Sequence, residues 1–176
     1  MIKASEGSYD ISGTALFSNN HYVGELDLEE TKTLALIKGS TTGYLTVPLK
    51  RGDYVAFKDV KSKNDITLEL DNNGKVTFGI KTKVSGVIVE TNPRKMEITE
   101  EDKKVIVSHT EAEIHRRISN LFVKLQSLNA DAVGLGEKFR VKYPGEWQKN
   151  NWHKIYPNCQ INLETGFSVD HTGLFR

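Results

Sequence analysis

The chain has 176 residues, of which 38% are hydrophobic and 27% are charged, a composition that is ordinary for one globular domain, and we expect residues 1–176 to form a single domain. Its 24 lysine and arginine residues and 23 aspartate and glutamate residues leave a net charge of +1, which excludes a global field that would draw it to nucleic acid or an anionic membrane. The single cysteine, Cys159, excludes an internal disulfide and a site of several thiolates, and no apolar run is long enough to predict a membrane-spanning helix.

The first third of the chain predicts a β-hairpin followed by a helix. Residues 8–17 and the segment 22–24 have the composition of strands, and the polar segment 18–20 between them predicts a turn. Asp27 precedes two glutamates and is placed to cap a helix, whose acidic first turn offsets the macrodipole. Gly39 predicts the end of this helix. Its apolar stripe is predicted to consist of Leu28, Leu34, Ala35 and Ile37.

Residues 41–90 predict a run of antiparallel strands. Apolar and polar side chains alternate over residues 65–70 and again over residues 76–80. The Asp-Asn-Asn-Gly segment at 71–74 predicts a tight hairpin turn, because Asn and Gly adopt positive φ at low cost. The segment lacks the ligand spacing and the terminal glutamate of a calcium-binding loop, so we expect no calcium site there.

Thr99 begins the longest predicted helix. A helix over residues 100–128 would be about 40 Å long, and Thr99 with Asp102 resembles a capping box. A second capping signal at 108–111 leaves open a break near residue 108. The apolar side chains that recur at spacings of three and four are Val107, Ile114, Ile118, Leu121, Phe122, Leu125 and Leu128.

Together these elements predict an α+β fold. We expect a mostly antiparallel, curved sheet, formed by residues 40–90 and the terminal strands, to pack against the one long helix. Additional shorter helices are predicted at about 131–142 and 145–155. Apolar residues at even spacing predict that residues 159–170 return as a strand beside the sheet.

Residues 130–157 combine aromatic, basic and glycine residues, a mixture that fits a phosphate loop, a nucleic-acid surface or a packed helical corner. Only two of the three glycines of a dinucleotide fingerprint are present, and they follow a helix rather than a strand, which excludes the phosphate loop. Phe139, Tyr143 and Trp147 recur every fourth residue, a spacing typical of a helix face in a core. We therefore predict a packed corner with a buried, structural Trp147, and no nucleic-acid partner.

Side chains that carry chemistry do not cluster in the sequence. His109 and His115 are six residues apart and face different sides of a helix, while Glu111 and His115 suit a surface pair. The chain has neither a His-Glu-x-x-His nor a Gly-x-Ser-x-Gly motif. Cys159 is predicted to be a small buried hydrophobic residue rather than a reactive thiol. We expect no catalytic, metal-binding or cofactor-binding residue, no cofactor and no enzymatic activity, and the sequence singles out no ligand-binding residue.

Motifs along nearly the whole chain carry a family resemblance. The opening motifs are Gly13-Thr14-Ala15-Leu16-Phe17, Val23-Gly24-Glu25-Leu26 and Glu29-Glu30-Thr31. The later motifs are Asp131-Ala-Val-Gly-Leu-Gly136-Glu137, Lys142-Tyr143-Pro144-x-x-Trp147, Trp152, Tyr156-Pro157 and His171-Thr172-Gly173-Leu174. In order and spacing they resemble the C-terminal domain of spore germinant-receptor C subunits, the GerAC/GerBC-type lipoproteins. Glu25 departs from the pattern, because it stands where the family often has tryptophan.

The resemblance implies a non-enzymatic module of a nutrient germinant receptor that acts in receptor assembly or signalling during spore germination. Its implied partners are the integral-membrane A- and B-type subunits, at the outer face of the spore inner membrane. The implied lipid anchor lies outside this soluble segment, since Cys159 is far from the N-terminus and the first ten residues lack the apolar stretch of a signal peptide. The alternative is a domain that itself binds an amino acid, sugar or nucleoside germinant, and the sequence leaves both open.

Overall fold

A computed structural model describes residues 2–5, 8–40, 43–49, 52–93 and 97–172. The sequence also predicts a turn at residues 50–53, of which Lys50 and Arg51 lie outside the described residues, as do Gly173 and Leu174 of the closing motif. The elements, in chain order, are β1 (Ile2–Ser5), β2 (Ser8–Ile11), β3 (Thr14–Ser18), β4 (His21–Leu26), α1 (Leu28–Ile37), β5 (Gly43–Pro48), β6 (Tyr54–Leu70), β7 (Val76–Asn92), α2 (Glu100–Ser127), α3 (Leu135–Lys142), α4 (Pro144–Lys149), α5 (Trp152–Ile155), a 3-10 turn (Tyr156–Asn158) and β8 (Gln160–Thr172).

A four-stranded mixed sheet with the order β5-β6-β7-β8 forms the centre of the fold. Its first three strands are antiparallel, and the turn between β6 and β7 falls at the predicted segment 71–74, with Gly74 at φ +80°. The returning strand is also confirmed, but β8 pairs with β7 in parallel. This direction follows from α2, which carries the chain back along the sheet before β8 begins, as a parallel connection requires. The α+β class is confirmed.

The N-terminal strands do not extend this sheet, so that part of the prediction is wrong. Within the described residues, β1 pairs only with β2 and β3 only with β4, and each pair forms a two-stranded sheet of its own. The hairpin of β3 and β4 is confirmed, and Asn19 and Asn20 make its turn with φ values of +49° and +64°. The hairpin reaches the core through Leu16 and Leu26, which are both buried.

α1 begins with the predicted cap. The Asp27 carboxylate accepts a hydrogen bond from the Glu30 amide at 2.8 Å, and the Glu30 carboxylate accepts one from the Asp27 amide at 2.9 Å. This reciprocal pair satisfies two amides that the helix itself leaves without acceptors. The predicted stripe is wrong at Leu28, which is 49% exposed, and Leu36 is buried beside Leu34 and Ile37 instead.

α2 is one continuous helix of 28 residues, which excludes the alternative of a break near residue 108. Thr99 and Asp102 form the predicted capping box, and Ser108 lies exposed within the helix. The buried face confirms the predicted stripe at Ile114, Ile118, Leu121, Phe122 and Leu125. Val107 and Leu128 are only partly buried, and Ile106 and Thr110 are buried in addition. This face packs against the sheet, from which Phe57 contributes a fully buried side chain. Among the described helices, none has the length and apolar character needed to cross a membrane.

The segment after α2 contains three short helices where the sequence predicted two. Residues 131–134 are not helical, and Gly134 lies at φ +85°, so α3 begins four residues later than expected. Pro144 occupies the first turn of α4, where its missing amide costs nothing. Asn150 is extended and ends α4, and the Asn151 side chain accepts from the His153 amide to start α5.

Candidate functional site

Residues 130–158 form a compact unit that we call the signature corner, and Asp131 is the hydrogen-bonding centre of it. One carboxylate oxygen accepts from the amides of Gly134 at 2.9 Å and Leu135 at 2.8 Å. The other accepts from the Gly136 amide at 2.6 Å and from the Trp152 indole at 3.2 Å. Because the N-cap residue Gly134 has no side chain, Asp131 takes over the capping of α3 and its charge offsets the helix dipole.

An aromatic cluster fills the space between this cap and the sheet. Phe139 is 1% exposed and stacks on Trp152 with ring centroids 5.6 Å apart. Trp152 also meets Phe78 of β7 edge-on at 6.3 Å. Trp147 tilts against Trp152 at 6.0 Å but is only half-buried, so the expectation of a buried Trp147 is wrong in degree. The prediction of a packed corner is confirmed.

The signature corner is tied to the end of α2 by polar contacts. The Gln126 side-chain amide donates to the carbonyl oxygens of Tyr156 at 3.0 Å and Cys159 at 2.9 Å. The Tyr156 side chain is fully buried, its hydroxyl donates to the Ala130 carbonyl at 3.3 Å, and burial raises the pKa of that hydroxyl. In these contacts the polar groups bond to other groups of the corner and of α2.

Cys159 closes the corner as the buried thiol that the sequence predicted. Its thiol donates to the Tyr156 carbonyl at 3.2 Å. Burial raises the pKa of Cys159 to about 11. Since the thiolate is the reactive form, the thiol is protonated and unreactive near neutral pH.

The basic residues of the corner lie on its surface. Lys138, Arg140, Lys142 and Lys149 are exposed, and two of them pair with acidic neighbours one turn away, Arg140 with Glu137 and Lys149 with a glutamate of α4. They form a solvated face of mixed charge, which is the arrangement that the aromatic spacing predicted.

The histidines of α2 do not gather with other possible metal ligands in the part of the chain that the structure describes. His109 bonds to a backbone carbonyl of its own helix, and His115 is exposed. The predicted Glu111–His115 pair is wrong, because the Glu111 carboxylate instead accepts from the Phe167 amide of β8 at 2.9 Å. Within the described residues, no group of three or more His, Cys, Asp or Glu side chains could hold a metal ion.

A charged cleft of about 270 Å³ lies between α1 and α2 and was not predicted from the sequence. Arg117 lies 2.7 Å from both Glu29 and Glu113, and Lys124 lies 2.5 Å from Glu30. A hydrogen bond from Arg116, with a further one from Arg117, holds the pKa of Glu113 at about 2. The spacing of Glu113 and Arg117 is a visible signal for a helical pair, but nothing in the sequence aligns α1 with α2.

The sequence matches a family model and two curated relatives. The family model described as "Spore germination B3/ GerAC like, C-terminal" matches residues 12–173. The chain is 26% identical to "Spore germination protein B3" of Bacillus subtilis (strain 168) over 178 aligned residues, which cover 98% of this chain. It is 29% identical to "Spore germination protein KC" of the same organism over 108 aligned residues, which cover 58% of this chain.

The fold is also similar to a solved structure, "Crystal Structure of the GerBC protein", with a TM-score of 0.76 and 23% identity over 96% of this chain. The chain spans only part of these relatives: 47% of protein B3, 26% of protein KC and 54% of the chain in the crystal structure. The matched region 12–173 contains both the opening motifs and the signature corner.

Proposed function

Because the chain belongs to the family of B3/GerAC-like spore germination proteins, that of the germinant-receptor C subunits, we propose that it is a non-enzymatic assembly module of a nutrient germinant receptor. Its role is to dock the C subunit to other receptor subunits, and the integral-membrane A- and B-type subunits are the candidates. A lipid anchor in another part of the parent protein holds the module at the outer face of the spore inner membrane.

The observation that carries this proposal is that the motif residues of the signature corner bond to and pack against one another. The Asp131 carboxylate accepts four hydrogen bonds from its own corner, and Trp152 and Phe139 stack on each other. A ligand site needs convergent polar groups that remain available to the ligand. The motif residues therefore stabilise the shape of a module whose outer surface makes the contacts.

Direct sensing of a germinant is the second candidate, and the charged cleft between α1 and α2 is the place for it. The cleft has carboxylates and guanidinium groups, which are the partners of a zwitterionic amino acid. Its charges already pair with one another: Arg117 with Glu29 and Glu113, and Lys124 with Glu30. An amino acid would have to replace these ion pairs, which favours assembly over sensing.

Thermal unfolding with a panel of amino acids, sugars and nucleosides tests the proposal. A ligand at 100 times its Kd would stabilise the folded state by about 2.7 kcal/mol, which is readily measured. We expect no saturable rise in Tm with any member of the panel. A saturable rise that is lost in Arg117→Gln would overturn the assembly function and place sensing in the cleft between α1 and α2.

A spore experiment tests the biological role. Deletion of this module from the parent protein should abolish the response to the cognate nutrient and leave receptor-independent germination intact. If spores with the deletion still respond to the nutrient, the module is dispensable and the proposed role is wrong.

A further inference from the structure

The second half of β6 has an open edge. β5 pairs only with the part of β6 from Tyr54 to Val60, so β7 is the sole strand neighbour of residues 61–70 within the described chain. The Asp71 amide donates to the Lys75 carbonyl at 3.1 Å, which places this pair in the hydrogen-bonded class of the antiparallel ladder. Because these classes alternate, Leu68 and the residues two positions before and after it direct their amide and carbonyl groups away from β7.

Other elements limit this edge at both ends. The side chains of Ser62 and Asn64 each donate to the Leu36 carbonyl at 2.7 Å, so the C-terminal end of α1 covers the edge up to residue 64. The turn at Asp71 closes the other end. The open segment is 65–70, six residues that would span about 20 Å as a strand.

An open groove of about 560 Å³ runs between this edge and α3. Ile66 and Leu68 line one wall, and Val141 lines the other. Val141 is 67% exposed, so an apolar side chain faces the groove without cover. The Lys142 ammonium crosses the groove and donates to the Leu68 carbonyl at 2.5 Å.

The charges that line the groove favour an acidic occupant. The exposed carboxylates of Asp65 and Glu69 alternate with Ile66 and Leu68 along β6 and therefore lie on the opposite face of the sheet. Lys138 and Lys142 both line the groove, and within the described residues no carboxylate lies within ion-pair distance of either ammonium. Glu137 also lines the groove, but its carboxylate is bound by Arg140 at 2.5 Å, which offsets its charge. The wall formed by α3 therefore presents a net positive charge next to backbone groups of β6 that bond to no neighbouring strand.

We propose that this groove docks an extended acidic segment of a partner protein as an additional strand on β6. A backbone amide of the partner would replace the Lys142 ammonium at the Leu68 carbonyl, and the released ammonium would then pair with a partner carboxylate. Main-chain hydrogen bonds would supply affinity, and the lysines would select for acidic side chains. The inference rests on the assembly function proposed above, since it names a surface that such a function would use.

Amide hydrogen exchange with a blocked seven-residue peptide of alternating glutamate and valine tests this docking. We expect the peptide to slow exchange at Ile66 and Leu68 by about tenfold or more, because those amides gain acceptors only from an added strand. Thr67 and Glu69, which bond to β7, should change little. No slowing at Ile66 and Leu68 at saturating peptide would overturn the proposal.

Two variants that differ only in location supply the matched control. Val141→Glu places a negative charge in the groove, whereas Val123→Glu alters an equally exposed valine on α2, at 68% exposure. We expect Val141→Glu to raise the Kd of the peptide by about tenfold and Val123→Glu to leave it within about twofold. Equal Kd values for the two variants would show that the peptide binds elsewhere and would contradict the proposal.

Further ligands in the same experiment distinguish an acidic segment from other occupants of the groove. A peptide of alternating lysine and valine should bind more weakly, and equal binding would contradict the acidic preference. Free glutamate should not protect Ile66 or Leu68, and protection by it would make the groove a small-molecule site.

The same measurements distinguish strand docking from the assembly function. If the acidic peptide does not protect Ile66 and Leu68 while no germinant raises Tm, strand docking is wrong and assembly through another surface stands. A saturable germinant shift would instead remove the assembly function itself.

Discussion

At the scale of single residues, Glu113 couples the stability of the helical layer to pH. Its pKa is about 2 in the folded protein, against an ordinary value of 4.5, because Arg116 and Arg117 hydrogen bond to its charged form. A carboxyl group whose pKa is lower in the folded than in the unfolded state stabilises the fold fully at pH values above its unfolded-state pKa. This stabilisation is lost as the pH falls towards the folded-state pKa. We expect Glu113→Gln to lower Tm at pH 7, and the difference from the parent to shrink as pH falls from 4.5 towards 2.

Calorimetry at several pH values measures this effect, and Glu69→Gln is its control. Glu69 is an exposed carboxylate on β6, and no ion pair involves it within the described residues. Its replacement should change Tm little at any of these pH values. A Glu113→Gln deficit that stays constant from pH 7 to the acid limit would contradict the ion-pair explanation and point to a packing defect.

At the scale of elements, the fit between α3 and α5 depends on Gly136. A Cβ placed there would lie 2.6 Å from the Trp152 indole nitrogen, which is closer than a real contact allows. Gly136→Ala should destabilise the protein by about 1–3 kcal/mol, because it separates the tryptophan from the Asp131 cap. In Gly145→Ala, the Cβ meets nothing within 4 Å, so this α4 variant should stabilise by about 0.4–1 kcal/mol. Denaturant unfolding measures both, and equal effects would mean that the contact with Trp152 relaxes freely.

The side chains of the aromatic cluster differ in burial, and we expect their contributions to the free energy of unfolding to differ in the same order. Phe139 is almost fully buried, so Phe139→Ala should cost about 3–5 kcal/mol of folding free energy. Trp147 keeps part of its ring in solvent, and Trp147→Ala should cost less, about 1–2 kcal/mol. Urea unfolding followed by far-UV circular dichroism compares the two without relying on the tryptophan signal. A larger loss for Trp147 would mean that its contacts with Trp152 matter more than its exposure indicates.

Local signals explain which elements were predictable from the sequence. The caps at Asp27 and Thr99 and the buried face of α2 depend on residues within a few positions of one another. Both caps are confirmed, and so is most of the predicted face. The parallel direction of β8 and the separate N-terminal sheets depend on how distant segments meet, which alternation does not specify. The same limit explains why the capping of α3 by Asp131 and the bond from Phe167 to Glu111 were missed.

At the scale of the whole molecule, one hydrophobic core joins parts that are far apart in the chain. Leu26 of the hairpin, Phe57 of the sheet, Ile118 of α2 and Phe139 of the signature corner all belong to the same buried cluster. A continuous core of this kind should make unfolding cooperative, since no part can leave without exposing the apolar surface of its neighbours. The prediction that residues 1–176 form a single domain therefore has a thermodynamic consequence.

Two probes in one denaturant titration measure that cooperativity. The chain has two tryptophans, Trp147 and Trp152, so fluorescence reports on the signature corner, whereas far-UV circular dichroism reports on the sheet and the long helix. We expect the two transitions to coincide. Leu26→Ala, at a site 1% exposed in the hairpin, should cost about 2–5 kcal/mol and lower both midpoints equally, although no tryptophan lies in its element. If fluorescence changes at a lower denaturant concentration than circular dichroism, or if Leu26→Ala leaves the fluorescence midpoint in place, the corner unfolds as a separate unit and the single-domain prediction is wrong.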